Sequence, residues 1–74
     1  MDIQHLVKMA NQIGMFFESM PDREQAKADI ATHLKKFWEP RMRQAIVAGL
    51  STPATADLMP IVREAIDGHR HVLT

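Results

Sequence analysis

His33-Leu34-Lys35-Lys36-Phe37-Trp38-Glu39-Pro40-Arg41-Met42-Arg43 is the stretch on which the fold turns. Pro40 lacks a backbone N–H and its ring clashes with the carbonyl four residues back, so a helix through Trp38 cannot run on past it. The residue before a proline is also pushed out of the α region. The stretch therefore predicts a helix ending at Phe37-Trp38, a corner at Glu39, and a new helix with Pro40 in its first turn. It holds the only Trp, one of three Phe, and four of the nine Lys and Arg. Lys35, Lys36, Arg41 and Arg43 against Glu39 give a local balance of +3 in a chain whose formal charge is zero. The corner is expected to present an aromatic pair beside a cluster of cations.

Upstream, Met20-Pro21-Asp22 reads as a turn, with Asp22 as N-cap and Gln25 placed to complete a capping box. Arg23 through Trp38 then forms a helix whose apolar stripe is Ala26, Ile30, Ala31, Leu34, Phe37 and Trp38. An earlier helix runs from Asp2 to about Met20. Ile3, Leu6, Val7, Ala10, Ile13, Gly14 and Phe17 share one face of it, and Met9 and Phe16 extend the apolar surface beyond that face. Gly14 costs about 1 kcal/mol against Ala in a helix interior, and close helix packing is the reason expected for it. Two long amphipathic helices joined by a short turn predict an antiparallel helical hairpin.

Downstream of the corner, a third helix runs from about Pro40 to Gly49 or Leu50, with Met42, Ala45, Ile46 and Leu50 inward. Ser51 to Thr55 is a loop of small, turn-forming residues. A fourth helix covers roughly Leu58 to Asp67, with Asp57 as cap and Ile61, Val62, Ala65 and Ile66 as its apolar face. Gly68 is a natural C′ residue, and 69–74 is expected to be a loose tail. The predicted architecture is all-α: one domain over 1–74, a long antiparallel hairpin and two shorter helices.

A core of 74 residues is marginal, which favours oligomerisation or docking on a larger partner. With no cysteine there is no disulfide, thiolate metal site or Cys-held cluster. No apolar run approaches a membrane span and no signal peptide is evident, so a soluble, cytoplasmic protein is expected. Zero net charge argues against broad nucleic-acid binding.

Catalytic chemistry finds no support. Ser19 and Ser51 have no His nearby in sequence, the acids are scattered over polar faces, and Gly14, Gly49 and Gly68 are too far apart for a phosphate loop. His5, His33, His69 and His71 include no H-x-x-x-H pair, so neither a catalytic site nor a metal site is expected. The cationic corner is the candidate site. Interface centres favour Trp, Met and Arg, so the expected partner-binding residues are Phe37, Trp38, Arg41, Met42, Arg43 and Phe16, with Phe17 behind or beside them. Phe37 fits either core or contact. Trp38, whose neighbour already occupies the core stripe, is read as a partner anchor. Arg41 and Arg43 also stand near a helix N-terminus, where a phosphate would be stabilised.

The opening I-x-H-L-V-K-M-A-N-Q-I-G-x-F-F from Ile3 to Phe17 carries a family resemblance when joined to three later blocks. These are Met20-Pro21-Asp22-Arg23, then, after His33, Phe37-Trp38-Glu39-Pro40-Arg41-Met42-Arg43, then Pro60-Ile61-Val62-Arg63-Glu64-Ala65. Together they resemble the delta subunit of NAD-dependent formate dehydrogenase. The resemblance implies a small accessory chain of a cytoplasmic molybdenum- or tungsten-dependent complex that oxidises formate and reduces NAD. In that family the alpha subunit holds a bis-molybdopterin guanine dinucleotide centre and iron–sulfur clusters, and FMN and NAD belong to the beta subunit. No cofactor is expected in this chain. The implied partner is the catalytic alpha subunit, with a homodimer possible when the chain is isolated. The implied role is support of assembly or stability. Two other readings stand beside it: a transient maturation factor that engages the pterin dinucleotide through Arg41 and Arg43, and a helical DNA-binding regulator.

Overall fold

Two aspartates start the two long helices of the computed structural model, which describes residues 2–74. The Asp2 carboxylate accepts the Gln4 N–H at 2.9 Å and opens α1, Ile3–Phe17. The Asp22 carboxylate accepts the Gln25 N–H at 3.2 Å and opens α2, Arg23–Phe37. Each satisfies a donor that the first helical turn leaves without a partner. The reciprocal half of the expected capping box is replaced, because the Gln25 side chain donates forward to Asp29 at 2.9 Å.

At the corner, Trp38 is extended (φ −91°, ψ 140°) and closes α2 by donating its N–H to the Leu34 carbonyl. Glu39 is also extended, and α3 follows over Pro40–Gly49 with Pro40 at its start. A 3-10 turn, Pro53–Thr55, occupies the expected loop. Then come α4, Pro60–Gly68, and α5, Arg70–Leu73. Among the described residues every regular element is helical.

Three expectations change here. The fourth helix starts later than predicted, with Met59 rather than Asp57 at its N-cap. Leu58, read as its first residue, is instead a buried residue of the preceding turn. Gly68 is not a left-handed C′ residue: it lies within α4, and no glycine among the described residues has a positive φ. The tail is not loose. α5 packs on α2 and α3 and buries Leu73 almost completely.

The core is one cluster drawn from every α-helix, with Leu6, Ile30, Leu34, Ile46, Ile66 and Leu73 among its largest buried side chains. α2 sits centrally, packed against α1 and, more extensively, against α4. Gly14 permits the α1–α4 approach: a Cβ there would clash with Val62 Cγ2.

Polar side chains hold the connections. Asn11 donates to the Asp57 carbonyl and accepts the Met59 N–H, both at 2.9 Å, which pins the chain entering α4. Arg63 donates to the Leu50 carbonyl at 3.0 Å, and to the carbonyl and hydroxyl of Thr55. The fully buried Thr55 hydroxyl donates to the Gly49 carbonyl at 2.9 Å. Arg63 and Thr55 thereby satisfy carbonyls that the end of α3 leaves without intrahelical partners.

Candidate partner-docking surface

The corner at Pro40 sends its two aromatic residues in opposite directions. Trp38 is 5% exposed and belongs to the core, whereas Phe37 is 71% exposed. The helical ladder Ala26, Ile30, Leu34 continues in steps of four to Trp38, and the Trp38 N–H still bonds the Leu34 carbonyl. Phe37 follows His33 instead, at the same four-residue step, and the two rings lie 4.7 Å apart. The expectation that Trp38 is a partner anchor gives way to a core role, with one edge reaching the surface groove described below.

Arg43 is corrected in the same sense. It is 9% exposed and donates to the Lys35 carbonyl at 3.1 Å. That carbonyl lies in the last turn of α2, where carbonyls lack intrahelical partners and the helix dipole favours a cation. Arg43 thus clamps the start of α3 to the end of α2. Its Nε is buried without a hydrogen-bond partner.

Phe16 at the end of α1 is 76% exposed and its neighbour Met15 is 65% exposed. Phe16 meets Phe17 edge-on at 5.0 Å, and Phe17 lies 6.3 Å from His33. Phe16, Phe17, His33 and Phe37 form a continuous run of rings along one side of the molecule. Beside it lies a groove of ≈ 600 Å³ lined by Met9, Gln12, Ile13, Phe16, Phe17, His33, Phe37, Trp38 and Met42. Of the residues expected to bind a partner, Phe16, Phe37, Met42 and the edge of Trp38 meet here. Arg41 is exposed beside Met42. Met9, Ile13 and His33 are groove residues that sequence reasoning did not assign to it. Met9, one turn before Ile13 and two before Phe16 on α1, was the available signal.

Away from the groove, ion pairs tie α2 to α4. Arg23 bonds Glu64 at 2.9 Å across α2 and α4, and Lys27 reaches Glu24 at 2.6 Å and Glu64 at 3.5 Å. The hydrogen bond from Arg23 holds the Glu64 carboxyl below its usual range. The same contact raises Arg23, and the bond to Glu24 raises Lys27. His69 places Nδ1 2.9 Å from the Ala65 carbonyl. Among the described residues no three His, Asp or Glu converge as a metal site, and no helix is long and apolar enough to cross a membrane.

A family model described as NADH-dependent formate dehydrogenase delta subunit FdsD matches residues 5–66. No curated protein and no solved structure matches the chain.

Proposed function

The chain belongs to the family of NADH-dependent formate dehydrogenase delta subunits, and from that membership we propose that it is a non-catalytic accessory subunit docked on the catalytic alpha subunit, where it supports assembly or stability. The observation that carries this reading is the groove between α1 and the α2–α3 corner. Its two large rings, Phe16 and Phe37, stand in solvent although the chain has a complete core of its own. A marginally stable domain gains nothing in isolation from holding such rings in water, and a contiguous exposed apolar patch marks an interaction site. Phe37 serves as the anchor in place of Trp38, flanked by Phe16 and Met42.

On this reading the molybdopterin, iron–sulfur, FMN and NAD sites of the enzyme belong to other subunits, and the complex works in the cytoplasm. The absence of cysteine leaves no thiolate to hold a cluster. The delta chain acts through burial alone, by covering apolar surface on its partner and stabilising the bound state by mass action.

Purification of a tagged copy from cells making the whole enzyme, followed by size exclusion, tests the proposal. Equimolar co-elution with the metal-loaded catalytic subunit is expected. Capture of cofactor-free catalytic subunit alone would instead make the chain a maturation factor. No capture under mild salt would contradict docking.

A further inference from the structure

Resting on the docking reading above, we infer that Met9 and Met42 make the docking face a site of oxidative modification: a peroxide that turns both into methionine sulfoxide in the free chain weakens docking.

Sulfur decides where a peroxide acts. The chain has no cysteine, so the thioethers of its six methionines are its only sulfur. A lone pair on Sδ attacks one peroxide oxygen and the O–O bond breaks. The sulfur loses two electrons and keeps that oxygen as a sulfoxide, while the other oxygen takes up the protons and leaves as water. The five described methionines stand in different places. Met9 on α1 and Met42 on α3 are half-buried and line the groove. Met15 is 65% exposed but lies outside the lining, and so does the half-buried Met20. Met59 packs against Gly14 in the α1–α4 contact. The groove is open in the free chain and covered once docked, so Met9 and Met42 meet the oxidant before assembly and are shielded after it.

The lining decides the consequence. A methionine at an interface is an adaptable apolar filler, and its sulfoxide is polar and chiral. Water solvates the sulfoxide oxygen in the open groove. Covering the groove strips that water away, which costs free energy unless a donor replaces it. Gln12, His33 and Trp38 are the lining residues with side-chain N–H groups. A bond from one of them offsets part of the cost, but the added oxygen still takes room from an apolar side chain of the partner. Two such oxygens, on walls from two helices, act in the same direction. The effect depends on the lining alone and holds whatever backbone shape the partner presents.

The test treats the free chain with hydrogen peroxide and maps the added oxygen at each methionine by peptide mass spectrometry. The chain is then added to the enzyme complex prepared without it. Absence of binding by the untreated wild type would refute the docking reading itself. With that binding present, the treated chain should bind about tenfold or more weakly, and an enzyme that reduces methionine sulfoxide should restore it. Met9→Leu with Met42→Leu keeps the apolar volume, so the pair should bind within about threefold of wild type and be insensitive to treatment. Met15→Leu should remain as sensitive as wild type. Full-affinity binding by a chain oxidised at both groove methionines would overturn the inference. So would an equal loss in the treated leucine pair, or groove methionines left intact while Met15 is oxidised. The treated chain should also keep its helical circular dichroism, and loss of that signal would make the effect unfolding and overturn the assignment to docking.

Discussion

Phe37 and Trp38 are adjacent in the chain and opposite in role. Trp38→Ala should destabilise the free domain by about 3–5 kcal/mol, because it empties a core position. Phe37→Ala should leave stability nearly unchanged, because its ring is 71% exposed. Thermal or urea unfolding of the two variants checks this, and equal destabilisation would reverse the assignment. Both residues fit the apolar stripe of α2, since three and four residues after Leu34 lie on the same helical side. The pattern alone does not separate them; the end of the helix does, and it falls between them. Gly14 was legible, because a helix-weakening residue on an apolar face points to a close neighbour, and Val62 is that neighbour. Gly14→Ala should lower the melting temperature even though Ala favours a helix by about 1 kcal/mol, because overpacking costs about 1–3 kcal/mol. Gly68→Ala should raise it: a Cβ there meets nothing within 4 Å and the backbone is not left-handed. The clamps made by Arg43 and Arg63 were not legible, because their partners are backbone carbonyls at helix ends and periodicity carries no information about those.

At the scale of elements, the Asp22 cap and the proline corner could be read from short-range rules, whereas the ends of α4 and the whole of α5 could not. Arg70–Leu73 is a single turn, too short for an apolar period, and its one buried residue is Leu73. Leu73→Ala should cost about 2–5 kcal/mol, measured by urea unfolding. A negligible change would return the C-terminus to the status of a loose tail. The α2–α4 contact adds a pH dependence. The Glu64 carboxyl is held low by Arg23, so its contribution to stability is present above the ordinary glutamate value of about 4.3 and is lost as pH falls through its lower folded value. The gap in melting temperature between wild type and Glu64→Gln should therefore be open at neutral pH and close in acid. The pair is exposed, so the gap should be small and should narrow with salt.

For the molecule as a whole, a radius of gyration of 10.9 Å agrees with the ~11 Å expected of a compact chain of this length. The chain thus closes a core of its own. What it leaves open is the ring-lined groove, part of which, Phe16, Phe37 and Met42, was legible in the sequence, whereas Met9, Ile13 and His33 were not assigned to it. Helical periodicity assigns inside and outside for the chain alone, whereas a docking face is apolar and outside at once. The central claim is that Phe16 and Phe37 are exposed in the free chain and covered in the enzyme. Hydroxyl-radical footprinting of side chains, compared between the free subunit and the assembled formate dehydrogenase, tests it most directly. The account predicts strong oxidation of both phenylalanines in the free chain and protection of both in the complex, with Trp38 protected in each. Equal oxidation of Phe16 and Phe37 in the free chain and in the complex would contradict it.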